Sequence, residues 1–209
     1  MKTTTIMVTV ILFIMLVTGG IFLLAERRQA AEQSLVSTPT QTPTPTPPDI
    51  KTYANERFGI AFEYPAKYFL EEKELGDAKR FHRSIILTEN TGENEELRKE
   101  KPNFPREGPT AITIDIYQNT APQQSLWQWI RGSAESNYKL GSGAYASSTI
   151  GSTEAIDYSW SGLYQGETQT FEQNGMIIAA SVTYLTPEDS IRKDFSTLLQ
   201  TLKLTAPTQ

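Results

Sequence analysis

Five of the twelve residues from Ser37 to Pro48 are proline, and five of the other seven are threonine. Each proline fixes its own φ and pushes the residue before it towards extended backbone. Alternating Thr-Pro therefore predicts polyproline II at about 3.1 Å per residue, so the stretch reaches roughly 35 Å. Nothing apolar is present to bury, and no core forms from it. The stretch is read as a semi-rigid stalk, which divides the chain into two parts with unlike requirements.

Before the stalk, Ile6 to Ala25 reads IMVTVILFIMLVTGGIFLLA, without a charge. A helix of that length spans about 30 Å, the thickness of a bilayer's hydrocarbon. Thirteen of its residues are Leu, Ile, Val or Phe. At roughly −0.3 to −0.6 kcal/mol each, they favour insertion by about 4–8 kcal/mol. The rival reading is a cleaved secretory signal, whose apolar region is usually about 7–15 residues and ends at a small-x-small site. This run is longer, and LLAERRQAA offers only poor sites after Ala30 or Ala31. An uncleaved signal anchor is the expectation. Gly19-Gly20 lacks the spacing of a GxxxG helix dimer. Lys2 and the amino terminus balance Arg27 and Arg28, so the positive-inside count decides nothing. The stalk decides it: Thr-Pro tracts are typical of surface stalks. The expected organisation is a tail at 1–5, a transmembrane helix at 6–25, a stalk at 26–50, a domain at 51–204 and a tail at 205–209. The expected location is a prokaryotic cell membrane, single-pass, with the C-terminal domain extracytoplasmic and the lipid bilayer engaged through residues 6–25.

Composition removes several chemistries. The chain has no cysteine and one histidine. Disulfides, thiol nucleophiles and Cys/His zinc sites are therefore excluded. A net charge of −5 with 21% charged residues gives no footprint for nucleic acid. No cofactor is expected.

After the stalk the pattern is that of one α+β domain. Phe58, Ile60, Phe62 and Tyr64 alternate, as one face of a strand requires, and Pro65 ends it. Further strands are expected at Tyr68–Lys73, Phe81–Thr88, Thr110–Gln118, Ser147–Ile150, Thr153–Trp160, Thr168–Gln173 and Met176–Tyr184. Asn174-Gly175 between the last two is a strong signal for a type I′ hairpin. MIIAASVTY is apolar on both faces and belongs mid-sheet. Ser125-x-x-Gln128 is a capping box opening a helix through Leu126, Trp129, Ile130, Ala134 and Tyr138. Thr186 is expected to cap a last helix, with Pro187 in its first turn and Ile191, Phe195, Leu198, Leu199 and Leu202 on its buried stripe. Leu202-Lys203-Leu204 then closes the sheet as an edge strand. The expected fold is a single antiparallel β-sheet flanked by a few α-helices, plus the N-terminal transmembrane helix.

Tyr53, Asn55, Phe58-Gly59-Ile60, Phe62 and Tyr64-Pro65 resemble the opening of PsbP-like and DcrB-like domains. The helix with Leu126 and Trp129, the Asn-Gly hairpin and the terminal FSTLLQTLKL match that family's later landmarks in order, from about Tyr53 to Leu204. Tyr68 stands where such domains often carry tryptophan. The resemblance implies an α/β/α sandwich. It also implies a binding or assembly role rather than an enzymatic one, because the family has no shared catalytic motif. A photosystem role is not implied, since nothing here matches a photosystem-binding N-terminus.

Candidate sites are few. Tyr145, Tyr158, Trp160 and Tyr164 are close in sequence and form a candidate ligand or partner surface for stacking on sugars or gripping a peptide; aromatic core is the plainer reading. His82, beside Arg80 and Arg83, has no catalytic partner that the sequence assigns. Glu89, Glu93, Glu95 and Glu96 lie in an acidic stretch whose spacing does not fit an EF-hand and which reads as a solvated insertion. No Gly-x-Ser-x-Gly elbow or phosphate-binding glycine loop is present. The expected function is a non-enzymatic module that binds a protein or cell-envelope component. The alternatives are an envelope enzyme, a small-ligand binder such as a glycan binder, or a passive surface subunit.

Overall fold

The computed structural model describes residues 49–77, 80–99, 108–120 and 124–206. The expected transmembrane helix and the Thr/Pro stalk through residue 48 lie outside them. Among the described residues no helix is long and apolar enough to cross a membrane.

The strands are β1 (Ile50–Asn55), β2 (Ile60–Pro65), β3 (Tyr68–Glu74), β4 (His82–Glu89), β5 (Ala111–Gln118), β6 (Ala146–Ile150), β7 (Thr153–Ser161), β8 (Gln165–Gln173), β9 (Met176–Tyr184) and β10 (Lys203–Leu204). The helices are α1 (Gly92–Lys99), α2 (Leu126–Gly132) and α3 (Ser190–Thr201), with a 3-10 turn at Asn137–Leu140. The strands form two sheets, not the single sheet expected. Seven strands pair in the order β3-β4-β5-β9-β8-β7-β6, and three pair as β1-β2-β10. β2 finds partners on both edges, β1 on one side and β10 on the other, so neither edge is left to join the larger sheet.

Alternation decides which side chains meet. Ile112, Ile114 and Ile116 of β5 are at most 1% exposed and face the small sheet and α3. Full burial of each such side chain contributes about 1.5–3 kcal/mol. Phe62 and Tyr53 stack with ring centres 5.0 Å apart across β1 and β2. Ile191, Phe195 and Leu198 of α3 pack into the same core. The opposite face of the large sheet, with Tyr117, Ile156, Ile177 and Tyr158, is covered by α2 and the 3-10 turn through Leu126, Trp127, Trp129 and Tyr138. β9 is central, between β5 and β8, and both its faces are buried around Ala179-Ala180-Ser181, as its two-sided apolar pattern requires.

The local signals behave as their chemistry demands. Ser125 Oγ accepts from Gln128 N at 3.2 Å, and Gln128 Oε1 accepts from Ser125 N at 2.8 Å. Asn174 and Gly175 have φ of 53° and 73°, the positive pair of a type I′ turn. Gly59 has φ of 63°, and a Cβ there would stand 2.1 Å from the Thr205 carbonyl oxygen. Only glycine lets the C-terminal segment lie against β2.

Three helical readings are corrected. α2 stops at Gly132, so Ala134 lies beyond it and Tyr138 belongs to the 3-10 turn. Thr186 does not cap α3. Asp189 takes the cap position, and its carboxylate turns back to accept from Leu185 N, Thr186 N and the Thr186 hydroxyl. Those bonds close a turn, and the helix starts at Ser190. The acidic stretch is not a plain loop, because Gly92–Lys99 is helical. It buries nothing and rests on pairs such as Glu95–Lys99 at 2.7 Å, four residues apart.

Candidate functional site

On the α3 face of the large sheet, the apolar alternation fails along two strands. In β7, Asp157 and Ser159 follow Ala155 on that face; in β8, Glu167 and Gln169 precede Phe171. A cleft of about 550 Å³ opens there, with Asp157, Glu167 and Gln169 on the sheet wall and Phe195, Ser196 and Leu199 on the α3 wall. Its volume falls in the range of small-molecule sites, about 300–1,000 Å³.

The polar wall is ordered by a directional chain. Asp157 and Gln169 are direct cross-strand partners. Ser148 Oγ lies 2.9 Å from Asp157 Oδ1 and 2.9 Å from Gln169 Nε2. A carboxylate only accepts, so the serine gives it its proton and receives one from the amide. The amide orientation is thereby fixed, and Gln169 Oε1 is left buried without a partner. At the helix side, Arg192 forms an ion pair with Glu167, donates to the Pro187 carbonyl at 2.6 Å, and lies 4.6 Å over the Tyr184 ring. The Glu167 hydrogen bond holds the Arg192 guanidinium above its ordinary pKa. Burial, and then the Glu167 charge, push the Tyr184 hydroxyl up. With Glu167 and Arg192 cancelling, Asp157 leaves the lining acidic, which suits a neutral or cationic polar ligand and opposes an anion.

Tyr145 stands at the mouth, 52% exposed. Its ring lies 4.0 Å from Trp127, which meets Tyr138 at 5.0 Å, which in turn meets Tyr158 at 5.4 Å. Of the four aromatics expected at a surface, Tyr145 and Tyr158 border the cleft, but their rings turn to the α2 face, where they meet Trp127 and Tyr138. Tyr158 is buried, its hydroxyl 3.3 Å from Ser136 Oγ. Trp160 is half-buried and gives its indole N–H to Thr168 Oγ1 at 2.9 Å. Tyr164 donates to the Gly108 carbonyl at 2.7 Å. The structure therefore does not gather all four on one surface. Asp157, Gln169 and Arg192 were not foreseen. Their only trace in the sequence is the break in alternation, which marks a site only once α3 is known to face it.

His82 lies elsewhere. Its Nε2 is 2.9 Å from Asp115 Oδ1, and its ring stacks on Tyr117 at 4.4 Å. It borders a smaller hollow of about 390 Å³ with Glu74, Asp77 and Arg80. Among the described residues no three His, Asp or Glu side chains stand close enough to hold a metal ion.

No protein-family model matches the chain, and no curated protein matches it. Among solved structures it is similar to PsbP of the cyanobacterium Synechocystis, with 9% identity over 75% of this chain and 92% of that one, at a TM-score of 0.49. It is also similar to a protein of Bacteroides thetaiotaomicron, with 12% identity over 75% of this chain and 48% of that one, at a TM-score of 0.45. At these values the likeness assigns the chain to no family and transfers no activity to it.

Proposed function

We propose that this protein is a non-enzymatic binding module, anchored in the membrane by residues 6–25 and displayed outside the cytoplasm, which holds a small polar component of the cell envelope in the cleft between β6–β8 and α3. The observation that carries the binding reading is the cleft itself. A directional hydrogen-bonding wall at Asp157, Ser148 and Gln169 faces an apolar wall at Phe195 and Leu199. Fixed polar groups opposite an apolar wall suit a sugar ring, which has hydroxyls at its edge and apolar C–H faces, so a glycan is the first class to test. The membrane reading is supported by the uncharged run and the Thr-Pro stalk. Membership of the PsbP-like group is proposed on the landmarks from Tyr53 to Leu204.

Titration calorimetry of the full chain in lipid nanodiscs against neutral saccharides, primary amines and carboxylates tests the ligand reading. Saccharides are expected to bind. Ser196→Trp, which fills the cleft from an exposed helical position, is expected to abolish binding. Binding that survives Ser196→Trp, or none to any class, overturns the assignment. For topology, protease added to intact cells is expected to release a fragment beginning near residue 40, and full protection contradicts the outward display.

A further inference from the structure

Strand register places the ends of the large sheet together. Tyr68 pairs with Glu89, Thr88 with Ala111, Gln165 with Tyr184 and also with Ser161. All of these lie at one end. The chain enters the domain at the same end, because Ile50 pairs with Pro65 and Asp49 O accepts from Ala66 N at 2.7 Å, two residues before Tyr68.

The exposed large apolar residues are not scattered over both ends. Leu163, 78% exposed, tips the β7–β8 turn; Leu185, 64% exposed, follows β9 directly. β8 and β9 are paired neighbours, so the two tips start from strands about 4.8 Å apart. Leu140 sits beside Gly162, its Cδ1 3.9 Å from where a Cβ would stand. Ile50 is exposed at the entry point, and among the described residues Leu75 alone marks the opposite end of the sheet. A single exposed leucine needs no explanation, whereas several on one end form a contact surface.

We infer that this end of the domain docks on the lipid bilayer, with Leu163, Leu185 and Leu140 entering between headgroups. The inference rests on the proposed anchor at residues 6–25. The entry at Asp49 ties this end, and not the Leu75 end, to the 23 residues that follow that anchor, a tether whose maximum span is about 80 Å. Leucines on separate turn tips suit insertion into a fluid surface better than the flat, contiguous face of a protein interface. Lys139 precedes Leu140 and Glu188 follows Leu185, so the charge is mixed and contact is expected on neutral lipid.

The chain has no cysteine, which makes single-site labelling clean. Full-length Leu163→Cys, Leu185→Cys and Leu75→Cys carry an environment-sensitive fluorophore and are reconstituted in phosphatidylcholine vesicles, with or without lipid bearing a shallow nitroxide. The expected result is a blue shift and nitroxide-dependent loss of emission at 163 and 185, and neither at 75. Equal quenching at all three sites, or at none, in protein that floats with the vesicles overturns the docking surface and leaves the anchor standing. A blue shift at 163 without nitroxide quenching assigns the surface to another protein chain and overturns lipid docking. Protein that fails to float overturns the anchor, and the docking inference with it.

Discussion

Gly166→Ala is the sharpest test of how the β7–β8 half of the sheet is held. Gly166 pairs directly with Trp160, and the indole lies across it. A Cβ on residue 166 would stand 2.2 Å from Trp160 Cε2 and 2.3 Å from Cζ2. Carbon atoms rest about 3.5 Å apart or more, so the ring must retreat by about 1.3 Å. That movement breaks the bond from Nε1 to Thr168 Oγ1, now 2.9 Å long. Losing it contributes about 0.5–1.5 kcal/mol, and overpacking adds about 1–3 kcal/mol. Relief of glycine's backbone entropy returns about 0.5–1 kcal/mol. The net expectation is a loss of about 2 kcal/mol, or about 4–8 °C in Tm for a domain of this size. Urea unfolding followed by tryptophan fluorescence measures it. In a Trp160→Ala background the ring is gone, and Gly166→Ala is then expected to be neutral or stabilising, with a coupling energy of about the same 2 kcal/mol. Additive single and double variants, or a stabilised Gly166→Ala, refute the packing role given to Trp160.

Four further outcomes are expected. Ser125→Ala removes half the capping box and lowers stability by about 1 kcal/mol in the same unfolding assay. Gly175→Ala forces a side chain into left-handed backbone and lowers stability by about 1–2 kcal/mol, while strand content by circular dichroism is retained. Hydrogen bonds from Thr186 and Leu185 hold the Asp189 carboxyl below its ordinary pKa of 3.8. Its stabilisation is thus complete above that value and lost as pH falls through the lower, folded one, so Asp189→Asn is less stable than the parent at neutral pH and the two converge in acid. Asp194→Asn weakens the contacts of Lys67 at 2.8 Å and Tyr68 at 2.8 Å that tie α3 to the start of β3, with a loss of about 1 kcal/mol that shrinks at high salt.

Much of the fold was legible because it is written locally. Phe58 to Pro65, Ile112 to Ile116, Ser125 with Gln128, and Asn174-Gly175 each carry their own geometry within a few residues. The division into two sheets was not legible. Alternation says which face of β2 is apolar, and says nothing about whether its edges meet β1 and β10 or the larger sheet. Asp189 and Thr186 are both good capping residues three positions apart, and the choice between them was made by the turn they form with each other. In α1 the stabilising contacts are ion pairs four apart, so a reading tuned to apolar spacing passes over it. The cleft was hidden for a different reason. Asp157 and Gln169 look like ordinary solvent-facing strand residues until α3 is seen to pass in front of them. Of the four aromatics, Trp160 and Tyr164 spend their polar atoms on Thr168 and Gly108.

The pairing of β10 with β2 has a consequence for biogenesis. Ala61 and Lys203 are 142 positions apart, and the Thr205 N–H reaches back to the Gly59 carbonyl at 2.8 Å. The smaller sheet is thus finished only after every strand of the larger one has been translated. A nascent polypeptide that stops early leaves β2 with a bare edge of unpaired amides, the kind of surface that chaperones and proteases seize. A polypeptide cut before Lys203 is in this way marked as unfinished, even with all seven strands of the larger sheet in place.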